Sequence, residues 1–285
     1  MFPFSKPRFS NHLFINTAII FALNFFPALN NKANAESVLQ ILPTRVVLEK
    51  QRSMTVTLVN RGDDEGNYRL FMRNIRAEDN GKFREITEQD EILDGELFSD
   101  KMIRFSPRRV TVPARSKQQV RIVLRKPKDL ATGEYRSHLV FRKLPKQESV
   151  LDDNDSEMDF TLKPIVEVTI PVIVRHGELE AKATIDNIAL ITDADNKQHI
   201  ELNLHRQGNR SLYGDLDIWW TAANAKKQRV AYAKGLAVYV PNNSRKITIS
   251  PLPEFTLSEQ GTLQVEFTED AAYGGNETAT ASKSW

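Results

Sequence analysis

Residues 158–175 read MDFTLKPIVEVTIPVIVR. Met158, Phe160, Leu162, Val166, Val168 and Ile170 share one parity, while Asp159, Thr161, Lys163, Glu167 and Thr169 share the other. Side chains of a strand alternate between its two faces, so this spacing predicts a β-strand with an apolar row on one side. Pro164 and Pro171 lack a backbone donor, which argues for a sheet edge rather than the middle of a closed sheet. An edge strand with a long apolar row invites association unless something covers it. Periodicity leaves two readings open: a strand facing its own core, or a strand offered to another protein's sheet.

The same alternation runs through the segments on either side. Strands are predicted near 44–50, 53–60, 68–76, 102–106, 108–112, 118–125, 134–143 and 160–175. A second set falls near 181–191, 198–205, 212–222, 229–240, 245–250 and 262–268. Turn signals separate them, among them residues 62–67 (GDDEGN) and Asn80-Gly81, whose residues tolerate positive φ in a two-residue hairpin. Short strands with regular turns indicate an all-β fold of sandwich type. The 285 residues suit two domains, 36–177 and 178–270, with a small, polar, flexible tail at 271–285.

Lys6 and Arg8 precede an apolar run from Leu13 to Leu29, and Ala33-Asn34-Ala35 supplies small residues for cleavage. This three-part pattern is that of a secretory signal peptide cleaved after Ala35, so that the mature chain starts at Glu36 without a membrane span. The whole chain carries 39 Lys and Arg against 37 Asp and Glu, a net +2. Residues 1–35 hold three bases and no acid, which leaves −1 for the remainder and removes compositional support for nucleic-acid binding.

No cysteine is present, which excludes disulfides, thiolate metal sites and cysteine nucleophiles. None of the five histidines is paired at the spacing of a helical zinc site. No phosphate loop, dinucleotide fingerprint or Gly-x-Ser-x-Gly occurs, so neither an enzyme nor a cofactor is expected. The acids at 153–157 (DNDSE) lack the glycine a calcium loop needs and read as a solvated loop. Arg45, in Pro43-Thr44-Arg45-Val46, is read either as solvent-facing or as a clamp for an anion, a task its planar fork suits. In Trp219-Trp220 one ring should pack inward and the other outward, where it meets a partner, a sugar or the other domain.

Taken together, the segments resemble the PapD-like periplasmic chaperones of chaperone–usher pilus assembly. The pieces, in family order, are 43–46 (PTRV), 53–60 (SMTVTLVN), 104–110 (RFSPRRV), 119–122 (QVRI), 133–139 (GEYRSHL) and 170–175 (IPVIVR). GEYRSHL and IPVIVR look most like the archaic branch. The resemblance implies two Ig-like sandwiches set at an angle with a cleft between them. It implies a periplasmic partner for pilus or fimbrial subunits, which are handed to an outer-membrane usher. It also implies that the strand running from Met158 to Ile170 is the one donated to the subunit; whether the free form covers it by self-association is left open by the sequence. In this family an arginine and a lysine in the cleft hold the subunit's C-terminal carboxylate. Arg45 matches the arginine, but Pro171 stands at the lysine's place. Antiparallel pairing would set Glu134 beside Arg175, which makes Arg136 the expected second cation and Arg175 the next candidate. The rival readings are a secreted carbohydrate-binding module or a structural pilus protein.

Overall fold

The computed structural model describes residues 37–145, 164–223, 225–257 and 260–285. The expected signal peptide, most of the acidic loop after Lys143, and Met158, Phe160 and Leu162 of the apolar row lie outside the described residues. No α-helix occurs among the described residues. None of their helical turns is long and apolar enough to cross a membrane.

The first part of the chain supplies β1 (Leu39–Leu42), β2 (Val46–Leu48), β3 (Ser53–Asn60), β4 (Gly66–Arg73), β5 (Ile75–Ala77) and β6 (Phe83–Glu85). It continues with β7 (Ile103–Ser106), β8 (Arg109–Val112), β9 (Lys117–Leu124), β10 (Gly133–Lys143) and β11 (Glu167–His176). One sheet has the order β1-β3-β9-β7, the other β2-β11-β10-β4-β8, and β5 and β6 form a separate hairpin. The two sheets close over one core. Val56, Leu58, Val120 and Ile122 come from the first; Leu70, Leu139, Phe141, Val172 and Val174 come from the second. Each aliphatic side chain fully removed from water here contributes about 1.5–3 kcal/mol.

The second part supplies β12 (Ala181–Thr192), β13 (Gln198–Gly208), β14 (Leu212–Ala222), β15 (Gln228–Val238), β16 (Ser244–Ile249), β17 (Gly261–Glu269) and β18 (Thr278–Ser284). A sheet ordered β12-β13-β16 packs on one ordered β15-β14-β17-β18. Along β13, Ile200, Leu202 and Leu204 are all buried while the residues between them are half-buried, the period of two on which the strand prediction rested. The chain is therefore two β-sandwiches in series.

Three expectations need correction. The tail is not loose: β18 pairs with β17 from Thr278 to Ser284, and Ala279 and Ala281 join the core. Small side chains hide this strand from a hydrophobicity reading, yet its backbone completes a ladder. The predicted strand 68–76 breaks at Asn74, where the chain leaves β4 for the β5–β6 hairpin. That hairpin turns at Asn80-Gly81, but through a longer loop closed by Glu78 N–H to the Lys82 carbonyl at 2.9 Å, with Gly81 at φ 82°. Gly81 is left-handed there, and a β-carbon on it would also meet the Arg245 guanidinium at 2.5 Å.

Candidate functional site

β11 runs antiparallel to β10, with Glu134 opposite Arg175 and Arg136 opposite Ile173. On its other side β11 pairs in parallel with β2, Val172–Val174 against Val46–Leu48. Alternation then sorts the side chains. Val46, Leu48, Val172 and Val174 enter the first sandwich's core. Val47 and Ile173 point the other way and pack with Ala237 and Tyr239 of the second sandwich. The same parity carries Arg45, Glu134, Arg136, His138 and Arg175 to this junction.

Arg45 is 2% exposed, far below what a solvent-facing arginine would show. Its Nη2 donates to Tyr239 Oη at 2.6 Å. Its Cζ lies 3.7 Å from the ring centre of Tyr213, 5.1 Å from that of Tyr239 and 6.0 Å from that of Tyr273. Arg136 is also buried, with Cζ 4.0 Å from the centre of Tyr239 and Nη2 donating to the Ile75 carbonyl at 3.3 Å. Tyr239 thus serves both guanidiniums at cation–π range. Arg45 Nε and Nη1, Arg136 Nη1 and His138 Nδ1 are buried with no hydrogen-bond partner. Buried polar groups are costly when unpaired, so the guanidinium N–H donors among these mark a place suited to an anion. Burial pushes the Arg136 pKa down, opposed by Tyr239 and Glu134. Burial, then Arg136 and Arg45, push His138 down to about 3, so its ring is neutral at pH 7.

Arg175 is placed differently, which corrects its candidacy as a cation free for an anion. Its Nε donates to Glu134 at 3.0 Å, its Nη1 to the Tyr273 carbonyl at 2.7 Å, and Glu49 lies 3.9 Å away. Glu134 also accepts the Ser211 N–H at 3.2 Å. Arg175 is therefore a compensated cation that ties the two sandwiches together. Close by, Arg210 and Glu269 form a buried two-pronged pair at 2.7 and 2.9 Å.

The described members of the apolar row differ in exposure. Ile170 is 2% exposed and belongs to the first sandwich's core, and Val168 packs against that core. Val166 is 54% exposed and its neighbour Ile165 70%. The Val166 carbonyl accepts the Lys143 N–H at 2.9 Å, so pairing with β10 continues beyond the start of β11. β2 covers β11 only from Val172 onward. Among the described residues, the opposite edge of residues 166–171 therefore has no strand partner, and Pro171 sits at the end of that open stretch.

Trp220 is buried in the second core, and Trp219 takes the other face. The Trp219 indole donates to Glu266 at 3.1 Å, and the Lys227 ammonium lies 4.7 Å from its ring centre. Both partners belong to the second sandwich, so Trp219 is covered by its own sheet rather than by the first domain. The site also includes residues that sequence reasoning missed. Tyr213, Tyr239 and Tyr273 come from three separate segments, and no local pattern announces that they converge on one arginine.

No family model matches the chain, and no curated protein matches it. Among solved structures it is similar to the CupB2 chaperone of Pseudomonas aeruginosa, at 14% identity over 87% of this chain and 99% of that one, with a TM-score of 0.41. It is similar to the E. coli chaperone DraB, at 15% identity over 86% of this chain and 98% of that one, TM-score 0.41. It is similar as well to the CsuC–CsuE chaperone–tip adhesion subunit pre-assembly complex from archaic chaperone-usher Csu pili of Acinetobacter baumannii, at 14% identity over 86% and 97%, TM-score 0.42.

Proposed function

We propose that this chain is a periplasmic, non-enzymatic chaperone that holds pilus or fimbrial subunits by donor-strand complementation and delivers them to an outer-membrane usher. The observation that carries the reading is the line formed by three features: the open edge at residues 166–171, the start of β2 at Val46, and Arg45 immediately before it. A client strand that pairs with β11 in the same parallel sense as β2 continues the line of β2 backwards. Its C-terminus then arrives at Arg45. There the unpartnered donors of Arg45 and Arg136 suit a terminal carboxylate. Backbone pairing along the edge gives affinity that tolerates sequence, and the exposed Ile165 and Val166 give apolar contact. Each of these aliphatic side chains, once covered, contributes about 1–2 kcal/mol before ordering costs. The order of motifs and the export signal expected from residues 1–35 support the same reading.

The test is co-expression with the pilus-subunit genes of its own gene neighbourhood, followed by proteolysis of the captured subunit. Wild type should protect a subunit. Val166→Arg changes an exposed residue, so it should leave the chaperone's own melting unchanged while protection is lost; Val168→Arg should lose protection too. Equal protection by Val166→Arg and wild type would overturn the donor-strand assignment.

A further inference from the structure

We propose that Tyr239 is the positioning residue of the anion site, and that supplying it is a role of the second sandwich; this rests on the carboxylate-anchor reading above. Arg45 and Arg136 are like charges at one buried junction, and among the described residues neither forms an ion pair. Glu134 and Glu96 favour the Arg136 charge from beyond ion-pair distance, so the direct contacts that hold the two guanidiniums come from uncharged groups. Tyr239 follows the end of β15 and meets both. Its ring faces the Arg136 guanidinium at 4.0 Å, and its hydroxyl oxygen accepts from Arg45 Nη2 at 2.6 Å. Stacking on the ring restrains the tilt of a planar guanidinium, and the hydrogen bond restrains its rotation. With Nη2 occupied, the donors left are Arg45 Nε and Nη1 and Arg136 Nη1, the atoms found buried and unpartnered. Tyr213 stacks on Arg45 at 3.7 Å, but Tyr239 meets both guanidiniums, so it is the contact through which the second sandwich sets the direction of the two sets of donors together. Neither sandwich alone holds the complete site.

The assay measures how the full chain binds a fluorescein-labelled peptide, Val-Thr-Val-Thr-Ala, with a free C-terminal acid or as the amide. The readout is the ratio of the two affinities, which a purely structural role for Tyr239 would leave alone. Wild type should favour the acid, and Arg45→Ala should bring the ratio to about one. Tyr239→Phe keeps the ring and loses the oxygen that accepts from a charged donor, so the acid preference should fall about tenfold. Tyr239→Leu removes the ring as well and should match Arg45→Ala. A wild-type ratio in Tyr239→Phe and Tyr239→Leu, with collapse in Arg45→Ala, overturns the role of Tyr239 and leaves the anchor standing. No preference for the acid in wild type overturns the anchor itself, and this inference with it.

Discussion

Glu134→Gln isolates what the buried Arg175–Glu134 pair contributes to joining the sandwiches. The Glu134 side chain is 1% exposed and that of Arg175 4%, at 3.0 Å. At an effective dielectric of about 20 the direct attraction at this distance is about 5 kcal/mol, offset by the cost of bringing both charges out of water. Removing one partner leaves the other buried without its counter-charge, which typically costs about 3–5 kcal/mol. Glutamine keeps an oxygen for the Ser211 N–H, and Arg175 keeps the Tyr273 carbonyl and Glu49, so the lower end, about 3 kcal/mol, is expected. For a chain of this size that is about 6–12 °C of melting temperature. Arg175→Met on the Glu134→Gln background removes the second charge and should restore about 2 kcal/mol. Urea unfolding of the four proteins closes the cycle. A loss below about 1 kcal/mol in Glu134→Gln, or a double variant no more stable than either single one, would refute the argument that compensation at this pair carries the energy.

Other consequences are as direct. An unfolded imidazole takes its proton near pH 6.5 whereas His138 does so near 3, so the folded state binds fewer protons in between. Stability that is complete above pH 6.5 should fall as the pH drops towards 3, by about 2 kcal/mol at pH 5, and His138→Gln should flatten that slope; an equal slope in the variant contradicts the burial argument. Deleting residues 278–285 strips β18 from β17 and should make the second sandwich sensitive to limited proteolysis; unchanged resistance would restore the picture of a loose tail. Gly81→Ala places a β-carbon at φ 82° and 2.5 Å from the Arg245 guanidinium, and should cost about 1–2 kcal/mol in thermal unfolding, whereas a neutral result would show the hairpin free to shift.

What could be read in advance follows the physics of alternation. Val172 and Val174 on one side and Ile173 on the other obey a period of two, so the strand was legible over its described part, while the edge that two prolines suggested holds only for residues 166–171, because β2 covers β11 from Val172 onward. Register followed too: the beginning of β10 lies beside the end of β11, with Glu134 at Arg175. The segment TATASKS at 278–284 was not readable, because alanine and threonine differ little in hydrophobicity and backbone pairing alone decides its state. Arg45 was legible as an arginine inside a strand but not as a caged one. Its partners Tyr213, Tyr239 and Tyr273 are distant in sequence and meet it only through packing between sandwiches. Arg175 was placed beside Glu134 by register, but the Tyr273 carbonyl and Glu49, which complete its compensation, reach it from segments that register does not locate.

The half-covered state of β11 makes it a ruler. The rail from residue 166 to residue 171 is about 17–20 Å long at roughly 3.3 Å per residue, and β2 closes one end like a stop. A chain laid along it has its last residue fixed by that stop. A chain one residue longer or shorter turns every side chain to the opposite face. On the proposed function, length and pattern would be checked in one event, and a guest whose ending is wrong by a single residue would be turned away without any pocket having to recognise which residues it is made of.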